Sequence, residues 1–100
     1  PKFSELSRFP EVRRDLALVI DSHVQFEQIK KIAFSTERRL LKQVNIFDVY
    51  EGKGIASGKK SYAVSFILQD DQKTLKDAQI DDVMNRLIAA YKKELNADLR

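Results

Sequence analysis

Asp48 and Tyr50 stand two positions apart in the stretch IFDVYEGKGIASGKKSYAVSF, Ile46 to Phe66, ahead of three glycines and the lysine pair Lys59 and Lys60. In an extended segment that spacing puts a carboxylate and a phenol ring on one face. Together they offer a hydrogen-bond acceptor and a flat aromatic surface, which is chemistry for holding a planar group. Turnover asks instead for convergent acid, base or nucleophile groups. The chain has one histidine, His23, and no cysteine. That excludes a thiol nucleophile, a disulfide framework and a thiolate zinc site, and it removes most triad arrangements. The pairs Asp70, Asp71 and Asp81, Asp82 read as solvated charges in a polar loop and on a helix exterior, because oxygen-ligated metals need several ligands at defined spacing. Gly52, Gly54 and Gly58 join two strands with no helix after them, so they form neither a phosphate-cradling loop nor a dinucleotide fingerprint.

The elements that must position Asp48 and Tyr50 follow from periodicity. A chain of 100 residues with 43% hydrophobic content encloses one core, and its 33% charged residues and two prolines suit a soluble globular unit. No apolar run approaches the roughly 20 residues that cross a bilayer. Residues 1–12 read as a lead-in that lies against the domain through Phe3, Leu6 and Phe9, and residues 13–100 as the domain itself. The chain starts at Pro1 with no recognisable targeting pattern, which is expected of a piece of something longer. DLALVI, Asp15 to Ile20, reads as a first strand; Phe26, Ile29, Ile32 and Ala33 recur at helical spacing up to Ser35 or Thr36. LLKQVNIFDVY alternates as a second strand, EGKGIASGKK is a glycine turn, and SYAVSFIL returns as a third. Ile80, Val83, Met84, Leu87, Ile88, Tyr91 and Leu95 mark a long helix that Asn96 stops, leaving room for a short last strand.

The order β-α-β-β-α-β is a split βαβ, ferredoxin-like pattern: an α+β sandwich with a four-stranded antiparallel sheet and two helices on one face. Strict alternation then sends Leu16, Leu18, Ile20, Phe47, Val49, Tyr62, Val64, Phe66 and Leu68 beneath the helices. It leaves Asp15, Ala17, Val19, Ile46, Asp48, Tyr50, Ser61, Ala63 and Ser65 on the free face. Small residues around one aromatic, with a rim of Arg13, Lys53, Lys59, Lys60 and Arg100, make a platform on which an unstacked nucleobase could lie. The plainer alternative is that Asp48 and Tyr50 only end an edge strand, the carboxylate discouraging edge-to-edge association. A net charge of +3 favours an anionic partner but does not choose between the two.

FPEVRRDLALVI, IFDVYEGKGIASGKKSYAVSFILQD, KTLKD and the final LR resemble the C-terminal ferredoxin-like anticodon-binding domain of bacterial phenylalanyl-tRNA synthetase β subunits, from about Phe9 to Arg100. The resemblance implies a cytoplasmic, non-membrane module that binds the anticodon stem-loop of phenylalanine tRNA within an (αβ)₂ enzyme. It implies no catalytic residue, metal or cofactor in the domain itself, the ligase chemistry with ATP and magnesium belonging to the α subunit. Carried over by position, it places the anticodon-reading surface on Ala17, Asp48, Tyr50, Ser61 and Arg100. Tyr50 would stack on the first anticodon base, a guanine; Asp48 and Ser61 would be polar contacts, Ala17 would leave room, and Arg100 would add charge or stacking. Arg13, Arg14, Lys59 and Lys60 are added here as RNA-backbone contacts. Two rival readings share the topology, an acyl-phosphate hydrolase and a regulatory amino-acid-binding module. Both need glycine where the first strand runs into the first helix, and DSHVQFEQ has none.

Overall fold

The computed structural model describes residues 9–100. Strand β1 spans Val12–Asp21, helix α1 Phe26–Thr36, β2 Leu41–Tyr50, β3 Lys59–Leu68, α2 Asp77–Leu95 and β4 Asp98–Leu99. They form one antiparallel sheet in the order β2-β3-β1-β4, so the ferredoxin-like order holds. β1 starts earlier than its apolar run because Val12, Arg13 and Arg14 pair with Leu68, Ile67 and Phe66 of β3, and ladder pairing tolerates charged side chains on a solvated end. Of the lead-in residues expected to pack, Phe3 and Leu6 lie outside the described residues. The Phe9 carbonyl accepts a 2.7 Å hydrogen bond from the Gln69 side chain.

Each helix starts and stops on local chemistry. At α1 the Gln28 side chain reaches back to accept the Gln25 amide at 2.8 Å, and at α2 the Gln79 side chain does the same for Lys76 at 3.0 Å. Both satisfy an amide that the first helical turn leaves without a partner. Asn96 ends α2 in the left-handed region at φ 52, its amide bonded to the Lys92 carbonyl at 3.0 Å. The reversal buries Ala97 and delivers Asp98 and Leu99 beside Val19 and Leu18 of β1.

Both helices cover one sheet face. Ile29 and Ala33 of α1 and Val83, Leu87 and Tyr91 of α2 are at most 1% exposed, against Leu18, Ile20, Val64, Phe66 and Leu68 of the sheet. Tyr91 donates its hydroxyl to the Ile29 carbonyl at 2.8 Å and lies 6.3 Å from the Phe66 ring, so one side chain joins α2 to α1 and to the central strand.

Strict alternation fails at two places in β2, between Leu41 and Gln43 and between Ile46 and Asp48, and the second bears on the site. Val44 lies opposite Phe66 and Ile46 opposite Val64, on the helix side; Asp48 then lies opposite Ala63 and Tyr50 opposite Ser61. Phe47 is the extra residue of a β-bulge between them. It was expected beneath the helices and is 53% exposed, whereas Ile46, expected on the free face, packs against the core. A bulge resets the two-residue period by one, which is how Ile46 and Asp48 reach opposite faces. Val49 keeps the helix side, opposite Tyr62, but on this edge strand it is 48% exposed.

Two carboxylates are structural, Asp70, which sequence alone reads as solvated, and Glu37. Asp70 is buried, accepting the Gln72 amide at 2.8 Å and Arg39 at 3.1 Å; the Gln72 bond, with help from Arg39, holds its pKa below the usual carboxylate range. Glu37 follows α1 and accepts the Arg39 and Leu40 amides at 3.1 and 2.9 Å and the Arg86 guanidinium at 2.6 Å. Burial pushes its pKa up, yet the bonds from Arg86, Leu40 and Arg39 outweigh that and leave it below 4.5. The carboxylate therefore contributes stability above pH 4.5, lost as pH falls through the lower folded value. Glu37→Ala should lower unfolding free energy by about 2 kcal/mol at neutral pH. In urea melts the gap from wild type should narrow below pH 4.5, and a pH-independent gap would contradict this account.

Candidate nucleic-acid interface

The helix-free face is a set of rungs across three strands. Asp48, Ala63 and Ala17 form one; Tyr50, Ser61 and Val19 form the next. Adjacent strands lie roughly 4.8 Å apart, so the small side chains of Ser61, Ala63 and Ala17 floor a shallow trough beside the aromatic ring. No helix covers this side, yet Ser61 and Ser65 are only 3% and 6% exposed. Arginines from both flanks lie over the aromatic rings beside them.

One of these arginines is Arg100. Its amide donates to the Ala17 carbonyl at 2.9 Å, extending the β4 edge, and its guanidinium carbon sits 4.8 Å from the centroid of the Tyr50 ring. That is cation–π range. The ring is fixed from the other end, where the Tyr50 hydroxyl donates to the Lys53 carbonyl at 2.8 Å. The chain can turn back under the ring because Gly52 adopts φ +136, and a Cβ there would meet the Tyr50 oxygen at 3.6 Å. The result is an aromatic plate held by a backbone hydrogen bond, with a cation over it and a carboxylate one rung away.

Ala17, Asp48, Tyr50, Ser61 and Arg100 thus come together on one face, although residues 17 and 100 lie at opposite ends of the domain. The four other basic residues divide. Arg13 and Lys59 lie opposite Ile67 and Asp21, on the helix-free side by alternation. Arg14 and Lys60 lie opposite Phe66 and Ile20, which directs them to the helix side. Arg13 is also engaged, its guanidinium bonded to Asp15 at 2.9 and 3.4 Å and lying 5.0 Å from the Phe47 centroid.

Phe47 is the aromatic residue of this face that strict alternation misses. The signal was present in VNIFDVY: Val44 and Ile46 set one phase, Phe47 and Val49 the other, and adjacent apolar residues at 46 and 47 mark the change.

Elsewhere the described residues hold no group of three His, Cys, Asp or Glu side chains placed to share a metal ion. A cleft of about 410 Å³ opens on the helix side between the end of α1 and α2, but its charges are matched: Arg86 pairs with Glu37 and Asp82. No helix among the described residues is long and apolar enough to cross a membrane.

Phenylalanine–tRNA ligase beta subunits match almost the whole chain: 57% identity over 98 residues in Bacteroides thetaiotaomicron, 51% over 96 in Porphyromonas gingivalis and 43% over 100 in Colwellia psychrerythraea. The chain spans about 12% of the length of each of these relatives. The family model of the ferredoxin-fold anticodon binding domain matches residues 7–100. With the sheet topology and the helix-free face already in place, that match makes this chain a member of the ferredoxin-fold anticodon-binding domain family.

Proposed function

We propose that this chain is the C-terminal anticodon-binding part of a phenylalanine–tRNA ligase β subunit and holds the anticodon stem-loop of phenylalanine tRNA on its helix-free face. The observation that carries the proposal is the meeting of Tyr50, Arg100 and Asp48 over a floor of small residues. An unstacked base gains roughly 1–3 kcal/mol from an aromatic platform, and Tyr50 supplies one. Asp48 accepts from the exocyclic amino edge of a guanine, an acceptor that a uracil carbonyl cannot satisfy. Ser61 adds a polar contact, Ala17 leaves room, and Arg100 lies against the base or yields the ring face to it. Arg13 and Lys59 approach the RNA backbone from the free face, with Arg14 and Lys60 reaching it only around the sheet ends. Residues 13–100 act as the binding domain and residues 1–12 as its lead-in.

In this reading the domain binds and positions. Activation and transfer of the amino acid, with ATP and magnesium, belong to the α subunit of a cytoplasmic (αβ)₂ assembly.

Fluorescence anisotropy with a phenylalanine anticodon stem-loop tests the proposal. Contacts to about three phosphates predict an affinity that falls roughly thirtyfold between 50 and 200 mM salt. Replacing the first anticodon guanine by uridine should weaken binding further at fixed salt. Equal affinity for the two loops would reduce the interaction to charge alone and remove Asp48 and Tyr50 from it.

A further inference from the structure

Phe47 has no role in the surface proposed above, and the structure gives it an unusual setting. The bulge at Ile46/Asp48 lifts it out of the helix-facing row onto the free face, where it is 53% exposed. Arg13 reaches across β3 from β1 to lie 5.0 Å from its ring centroid, and Asp15 holds that guanidinium through two hydrogen bonds at 2.9 and 3.4 Å. The Tyr50–Arg100 pair has the same composition at 4.8 Å. One face therefore carries two aromatic plates, each with an arginine from beyond the central strand laid over it, and Asp48 stands between them in sequence.

We infer that Phe47 and Arg13 form a second base-stacking position, which takes the single-stranded nucleotide next to the one on Tyr50. The inference rests on the RNA-binding role proposed above. Several features of the site select a nucleotide as occupant. A flat ring exposed beside an arginine offers stacking and a cation to a group that is itself flat and anionic. A purely apolar partner would have to desolvate the Arg13–Asp15 ion pair. Phe47 and Tyr50 are three residues apart on one strand, roughly 10 Å when extended and somewhat less across a bulge. Sheet platforms that stack two or three splayed bases work on this scale. Stacking is tolerant of base identity, so this position contributes affinity and registers the loop, while Asp48 retains discrimination.

The test uses this chain and anticodon stem-loops carrying 2-aminopurine, one at a time, at the loop positions flanking the first anticodon base. Phe47→Leu keeps an apolar side chain and removes the ring face, and at a half-exposed position it should leave the thermal midpoint unchanged within a few degrees. Expected is an affinity loss of about tenfold, loss of the fluorescence change at one flanking position, and no further loss from Phe47→Leu when that position is abasic. Arg13→Gln should reproduce part of the loss. If Tyr50→Leu weakens binding while Phe47→Leu does not, or if the Phe47→Leu loss persists on the abasic loop, the second position is refuted and Phe47 is left as a protein-facing contact. Failure of the unaltered chain to bind any stem-loop would overturn the RNA-binding role and this inference together.

Discussion

Tyr91→Ala is expected to cost about 3–5 kcal/mol of unfolding free energy. The side chain is 0% exposed, lies against Phe66 and closes a hydrogen bond to the Ile29 carbonyl. Truncation leaves a cavity where both helices meet the central strand, and a domain of this size has only about 5–15 kcal/mol in total. Tyr91→Phe separates packing from hydrogen bonding, since it keeps the ring and should cost about 1 kcal/mol. The two variants also differ from wild type in alkaline solution. Burial pushes the Tyr91 hydroxyl well above the ordinary phenol value of 10.0. Above pH 10.0 the unfolded chain releases this proton while the folded chain keeps it, so stability falls as pH rises through the window between the two values. The slope reaches at most about 1.4 kcal/mol per pH unit, and both variants should lack it. Denaturant melts at pH 7 and above pH 10.0 decide the matter; equal alkaline slopes in wild type and Tyr91→Phe would contradict the burial account.

Tyr50→Ala should act on binding and hardly on folding. It removes the proposed stacking plate, which predicts an affinity loss of about 1–3 kcal/mol for the phenylalanine anticodon stem-loop. The fold loses only the hydroxyl bond to Lys53 and the contact with Arg100, both at the surface, together about 1 kcal/mol. Tyr50→Phe sharpens the reading because the ring stays while its tether to the Lys53 carbonyl goes, so binding should fall by less than in Tyr50→Ala. Isothermal titration beside a thermal melt separates the two effects. Unchanged affinity in Tyr50→Ala would place the RNA elsewhere, and a collapse of the melt would show that the ring supports the core.

The helix-free location of Asp48 and Tyr50 emerges from alternation only downstream of the bulge, where the phase of β2 matches that of an unbroken strand. Upstream the same rule misplaces Ile46, and at the bulge it misplaces Phe47. The local composition announces the phase change through two adjacent apolar residues, but a hydrophobic pattern cannot by itself say which strand carries the extra residue. Asp70 shows a related gap. A carboxylate in a polar loop reads as solvated until the fold brings Arg39 to it from 31 positions away and turns the Gln72 amide towards it.

What the sequence determined by itself is each element's identity and, except in β2 as far as its bulge, the side it buries. The apolar stripe of α2, its stop at Asn96, the strand-forming run after Asp15 and the glycine turn before β3 are local patterns, set by helical and strand periods that act over a few residues. Only the tertiary structure decided the encounters: Arg100 over Tyr50, Arg13 over Phe47, Tyr91 bonded to Ile29. The partners in each pair lie tens of residues apart, and they meet because strand register and loop closure bring distant segments within a few ångströms. Periodicity says which face each residue takes but not which residue of another strand stands opposite it. That register is fixed when the helices and sheet close on a common core.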